Sequence, residues 1–428
     1  MPPRPDRPSR KGNAVQRLLY NLVAVVCAVV GSPGIAAADD WHGWRGPTQD
    51  GHSHETGLPE RWTAENVVWT RELPGLGQSS PVVTGERILL TSALDEGRER
   101  VVICLDRHDG SILWQETAWT GQPEPTHPMN GWASATCATD GERVYAFFGR
   151  GGGLVCYSLE GEKLWQNDLG ALESPWGTAA CPRLVGDLVV QNCDADSDAS
   201  IVAFHKVTGE EVWRTPRPAN RGWSSPIVIE ANVAGGSARR TEVVVNSHTG
   251  VRAYDPSTGE ELWNCRSFNG RGTPTVAPAG GLLHVVNGLS GDTYAIIPGG
   301  SGDVTETHMA WHTERGGRDL PSPIIVDGVV LVSSLRSAVI TGYDAESGKE
   351  LWKTRVGDQI SASPVAWGGL AYFVKESGVT IAVDPQSGEV VSESTVDPAA
   401  TEVFRASITP AYGRVLLRSD SVLYCIGG

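Results

Sequence analysis

The sequence predicts an all-β fold: an eight-bladed β-propeller of four-stranded antiparallel blades, closed by an N-terminal strand. Three observations lead there. A short motif, ending in tryptophan in every copy but the last, recurs every 39 to 51 residues, a second marker opens each repeat, and the last repeat lacks one strand that the N-terminal region supplies. That period suits a blade of four short strands.

The motif runs Ala/Cys-x-Asp-x-x-x-Gly-(Glu)-x-x-Trp. Its clearest copies are Ala253-Tyr254-Asp255 through Gly259 to Trp263, and Gly342-Tyr343-Asp344 through Gly348 to Trp352. Further copies begin at Cys104, Ala203 and Ala382, a shorter one runs from Ser158 to Trp165, and Trp311 ends a degenerate one. The series reads Trp69, Trp114, Trp165, Trp213, Trp263, Trp311, Trp352 and Val391. The Asp side chain caps a turn, the Gly takes the left-handed conformation that closes it, and the Trp starts the outer strand as a wedge between blades.

The second marker reads Ser80-Pro81, Ala135-Thr136, Ala179-Ala180, Ser225-Pro226, Thr273-Pro274, Ser322-Pro323, Ser363-Pro364 and Ser407-Ile408. Each opens two apolar runs joined at a Gly-containing turn, such as Pro81 to Leu90 or Pro323 to Val332, which is a hairpin signature. From Ser407 onward only three strands remain before the chain ends, whereas 66–70 carries a motif Trp with no strands before it. We therefore expect 66–70 to complete the eighth blade, which leaves no free edge between first and last blades.

Composition agrees with many short strands and turns. Among 428 residues, Gly numbers 51 and Pro 27, with only 20% charged. Residues 1–38 read as a secretory signal: a basic stretch (Arg4, Arg7, Arg10, Lys11, Arg17), an apolar run from Leu18 to Val30, and Ala36-Ala37-Ala38 as the cleavage site. The apolar run is shorter than the ~20 residues of a spanning helix. Val26 before Cys27 is too bulky for a typical lipidation site. The whole chain carries −15; that stretch holds five bases and one acid, so the remainder carries −19. Such acidity argues against a nucleic-acid partner, which needs a basic footprint.

Seven cysteines follow the signal, with no adjacent pair and no CxxC. Cys104, Cys156 and Cys425 lie in apolar strand patterns and read as buried hydrophobes. Cys137 and Cys181 occupy nearly equivalent places in neighbouring repeats; whether they pair, the sequence leaves open. Asp194-Ala195-Asp196-Ser197-Asp198 lacks the Gly and Glu of an EF-hand loop and reads as a solvated hairpin tip. Gly149 to Gly153 reads as a tight strand connection, not a phosphate loop. The aromatic run Trp41 to Pro47, within a capping segment of 39–65, is expected to pack on the propeller as a cap or plug.

The repeat resembles the tryptophan-docking motif of the pyrroloquinoline-quinone (PQQ)-like propellers, a family that includes PQQ-dependent dehydrogenases and BamB, the outer-membrane assembly propeller. The resemblance covers about 66–428 and implies the propeller fold. The enzymes hold the quinone between a Trp face and a disulfide of adjacent cysteines, and use Glu, Asn and Asp for Ca²⁺ and as base. No Cys-Cys and no matching set stands here, so neither PQQ nor Ca²⁺ is expected, nor an enzyme. The reading is a non-catalytic, BamB-like binding or interaction scaffold of the periplasm or cell envelope. Its expected partner is a protein or peptide, and any outer-membrane association would run through that partner. The alternative is a quinoprotein oxidoreductase with atypical ligands.

A ligand site is expected where the chain enters each innermost strand. Those approaches carry Gln78, Asn130, Trp132, Trp176, Arg221, Trp223, Arg271, Arg318, Asp319, Gln359, Phe404 and Arg405. The residues named for the site are Trp132, Trp176, Trp223, Arg271, Arg318 and Arg405, since Trp and Arg are favoured in binding hot spots.

Overall fold

The computed structural model describes residues 40–233, 238–266, 268, 271–288, 292–314, 320–335 and 337–427. The expected signal lies outside them, as do Arg318 and Asp319.

Eight antiparallel sheets follow one another along the chain. Blades 1 to 7 span 82–120, 138–167, 183–216, 227–266, 277–313, 324–355 and 365–394. Blade 8 is built from both ends: Thr409–Ala411, Arg414–Arg418 and Val422–Gly427 are completed by Val67–Glu72. Thr70 faces Tyr424 and Trp69 faces Cys425, so the N-terminal strand closes the ring as its sequence requires. Blade 4 gains a fifth, parallel strand, Gly302–Asp303. The inner hairpins turn where the sequence places left-handed residues, as at Asp327 (φ 47°) and Gly328 (φ 78°).

One joint is repeated between blades. The motif Trp sits opposite the small residue that opens its motif: Cys104, Cys156, Ala203, Ala253, Ala295 and Gly342 face Trp114, Trp165, Trp213, Trp263, Trp311 and Trp352. Trp69, opposite Cys425, holds the same place in blade 8, and six of these seven indoles, all but Trp263, reach the next blade and donate Nε1 to a turn carbonyl at 2.8–3.3 Å, Trp213 to Pro256 and Trp352 to Pro385 among them. The motif Gly of that next blade lies flat against the indole. At Gly209 (φ +73°) a Cβ would stand 2.6 Å from Trp165, so glycine is required both by backbone and by space. The Asp caps the same turn, as when Asp344 Oδ1 accepts from the Ser347 amide at 2.8 Å.

Two exceptions have structural causes. Trp263 is fully buried and donates instead to Glu242 of its own blade, because blade 5 replaces the short turn with the longer 297–308 connection. Blade 7 has no docking Trp, because blade 8, made from two chain ends, offers no such turn. The position opposite Ala382 is Ser392, not Val391. Val391 is instead the bulged residue, equivalent to Leu113, Leu164, Val212 and Leu351, all exposed. Ser392 donates to the Glu60 carbonyl, and the incoming Trp62, 2% exposed, packs over Tyr372 nearby.

The second marker also needs a change of register. The residue that holds the place of Ser80 in blades 2, 3 and 5 is Thr136, Cys181 and Thr275, one, two and two residues beyond the expected Ala135, Ala179 and Thr273. Asp194 is not a solvated tip: it is buried and held in two prongs by Arg217, at 2.6 and 3.1 Å. All seven described cysteines are buried free thiols, Cys137 and Cys181 included.

The segment 40–62 crosses one face of the ring. Trp41 pairs with Val83 in blade 1 and Arg183 donates to the Trp44 carbonyl. The Ser53 amide donates to Ala366 of blade 7, and Glu55 accepts the Tyr412 and Gly413 amides of blade 8. Arg45 is buried and donates to the carbonyls of Asp50 and Pro323; burial lowers its pKa to about 10.

Candidate functional site

Equivalent positions of successive blades form a ring, so residues distant in sequence meet on the axis. Ser80, Thr136, Cys181, Ser225, Thr275, Ser322, Ser363 and Ser407 hold one such position. All but the Ser407 side chain accept the backbone amide of the equivalent residue in the preceding blade: Ser80 N to Thr136 Oγ1 at 2.9 Å, Thr136 N to Cys181 Sγ at 3.2 Å, Cys181 N to Ser225 Oγ at 2.9 Å. The belt continues through Ser225 N to Thr275, Thr275 N to Ser322 and Ser322 N to Ser363, and Ser407 N closes on Ser80 at 3.0 Å. Seven links therefore stitch eight blades, each satisfying a buried amide that no ladder reaches.

A cavity of about 330 Å³ sits on this axis, lined from every blade. Its floor is Trp44, whose Nε1 donates to Thr275 Oγ1 at 3.2 Å; the N-terminal segment thus makes the channel blind at one end. Its wall is the belt, and its mouth carries the aromatic and charged side chains.

Trp176 organises the mouth. Its ring stacks on Trp223 at 5.9 Å and 25°, His127 meets it edge-on, and the Arg271 guanidinium lies 4.1 Å from its centre. Arg221 lies over it at 4.6 Å while pairing with Asp196. Trp223 is anchored by Nε1 to the Gly177 carbonyl at 2.9 Å. Across the mouth Arg405 pairs with Asp420 at 2.9 Å and lies 3.6 Å from Glu376. Burial raises the Asp420 pKa against the pull of Arg405 and Gln78. Glu376 further accepts from Gln359 at 3.0 Å and from Ser361.

Of the six residues named from sequence, the structure brings Trp176, Trp223, Arg271 and Arg405 to this cavity. Arg318 lies outside the described residues. Trp132 does not line it: its indole covers Gly97 and donates to the Glu124 carbonyl at 2.8 Å. Distance to the belt does not decide this: Trp132, four residues before Thr136, turns away, whereas Trp176, five before Cys181, and Trp223, two before Ser225, turn in. Phe404 is likewise buried, against Gly378 and Tyr424. Trp44 belongs to the run expected as a cap or plug, whereas sequence reasoning missed His127, Met129, Leu320 and Leu335. The signal for His127 and Met129 was the Pro-rich 121–131 loop within the longest repeat step; Glu124, paired with the buried Arg100, and Asn130, bonded to the Trp176 carbonyl at 2.7 Å, hold it over the mouth.

Comparison with known proteins gives the lineage. The family model described as outer membrane protein assembly factor BamB matches residues 63–192, 197–333 and 307–423. A quinohemoprotein alcohol dehydrogenase, ADH IIB of Pseudomonas putida, is 29% identical over 140 residues; the match spans 29% of this chain but only 20% of that relative's length. Among solved structures, a europium-containing methanol dehydrogenase superposes with a TM-score of 0.64 at 14% identity, covering 88% of this chain and 89% of that one. BamB from Moraxella catarrhalis gives 0.59 at 17% identity, covering 85% and 97%. At these identities the structural likeness speaks for the fold. The repeat, the eight blades and the family match together make this chain a member of the PQQ-like propeller family, that of the outer membrane protein assembly factor BamB.

Proposed function

We propose that this protein is a non-catalytic propeller of the cell envelope that binds a protein or peptide partner at the mouth of its central cavity. The observation that carries the reading is the Trp176–Trp223 stack with Arg271 over its face, on the axis of a rigid ring. Trp and Arg in a partly enclosed recess are the side chains that dominate binding energy at interfaces. The family's assembly-factor description and the signal-like residues 1–38 support an envelope setting.

The residues at the cavity do not fit a calcium-bound quinone. Among the described residues no carboxylate lines it, and the two paired with its Arg405, Glu376 and Asp420, are also engaged by Gln78, Gln359 and Ser361. Its one lining cysteine, Cys181, is a free thiol engaged in the belt, so no pair of adjacent cysteines can cover a ring system. The second reading, an oxidoreductase, is favoured by the local identity to the alcohol dehydrogenase.

A photo-crosslinking residue placed at Met129 in cells tests the first reading. One discrete adduct is expected, reduced about tenfold by Arg271→Ala together with Trp176→Ala, the loss that truncating a hot spot of ~1.4 kcal/mol or more produces. No adduct at Met129, or equal adducts from a residue on the rim, would count against it.

A further inference from the structure

The belt leaves protons without acceptors. A hydroxyl has one proton to donate and two lone pairs. In Ser80, Ser225, Thr275, Ser322 and Ser363 an oxygen already accepts a backbone amide, and Thr275 also accepts the Trp44 indole. No acceptor for these five protons lies among the described residues. All five side chains are at least nine-tenths buried, and all five line the cavity. Buried donors left unmade are costly, so the free space in front of them must supply acceptors.

We propose that this girdle receives a carboxylate, and that the ligand is a chain end or small acid with an apolar body. The inference rests on the reading of the cavity as a binding site and names what enters it. Five convergent donors complement a group that accepts several hydrogen bonds at once, and a carboxylate, with two oxygens and no proton, does so most fully. Charged acceptors also make the stronger bonds. Above the girdle, Trp176, Trp223, Met129, Leu320 and Leu335 give the apolar part its contacts, and Arg271 and Arg405 flank the entry. The floor at Trp44 stops the channel, so a ligand enters head first from one side. About 330 Å³ is at the low end of small-ligand pockets, ~300–1,000 Å³. That admits the last residue or two of a chain and no folded element.

The experiment uses the purified chain without residues 1–38 and three probes: a short peptide ending in phenylalanine with a free carboxylate, the same peptide as its C-terminal amide, and phenylacetate. Binding is read by calorimetry and by the fluorescence of the cavity tryptophans. The acid peptide should bind saturably, and the amide roughly tenfold more weakly or worse. Ser322→Ala with Ser363→Ala should erase the difference between acid and amide; Ser225→Ala alone is the milder variant should the double one fail to fold. Phenylacetate binding without the acid peptide would assign the site to free small acids and end the chain-end assignment. Equal affinity for acid and amide, no saturation by either acid at about 10 mM, or an acid preference that survives the Ser→Ala changes would overturn the proposal. Should the acids fail while the Met129 adduct forms, the carboxylate assignment alone falls and the partner reading stands.

Discussion

At the scale of single residues, the joint between blades is a three-part device. A Trp donates one hydrogen bond to a turn, a Gly presents that turn's backbone to the indole, and an Asp caps it. Gly209→Ala tests the middle part. Its φ of +73° and the 2.6 Å approach to Trp165 both oppose a methyl group. A loss of about 1–3 kcal/mol of stability is expected in urea unfolding, through backbone strain and overpacking; a change below half a kcal/mol, the ordinary surface value, would show that the turn relaxes freely. The Asp caps carry a pH signature. In Asp344 the hydrogen bond from the Ser347 side chain and then its amide lower the carboxyl pKa below its usual value, and in Asp384 the Ser387 amide leads. A lowered folded-state pKa stabilises above the unfolded value of about 4 and is lost as pH falls through the folded one. Unfolding midpoints should therefore drop below about pH 4 in the parent, and less steeply in Asp344→Asn with Asp384→Asn. Parallel pH profiles would contradict this.

At the scale of elements, the ring depends on its first strand. Val67–Glu72 pairs with Val422–Gly427, and the segment before it bonds to blades 1, 7 and 8 while flooring the channel. Removing residues 39–72 should abolish cooperative melting and expose an unpaired edge that aggregates; a deletion variant that melts like the parent would refute the closure. This closure was legible because a strand with a motif Trp stood alone at one end and a repeat lacked a strand at the other. Register was less legible. Val391 was one residue off because a bulge precedes every docking Trp, and bulges add a residue that no periodic pattern records. Trp263 looked like its six siblings in sequence, yet its partner depends on the length of the next blade's turn. The site was half legible for a related reason. The axis collects side chains from approach loops that follow different paths, so Trp176 and Trp223 turn in and Trp132 turns out although each stands close before its marker. The belt itself was hidden behind residue type: Cys181 and Thr275 do the work of serine, and only the ring reveals it.

At the scale of the molecule, a rigid ring with a blind, aromatic-mouthed cavity is a frame that the family uses for more than one purpose, and the fold by itself selects none. The axis of this chain carries Arg405 paired with Asp420 and beside Glu376, a lining cysteine engaged in the belt, and a floor made by the N-terminal Trp44. This axis is proposed to bind a partner and not to oxidise a substrate. The most direct measurement titrates PQQ with Ca²⁺ into the purified protein by calorimetry and follows dye-linked alcohol oxidation in the same samples. We expect no saturable heat and no dye reduction above a heat-denatured control. Stoichiometric quinone binding accompanied by alcohol-dependent dye reduction would contradict it.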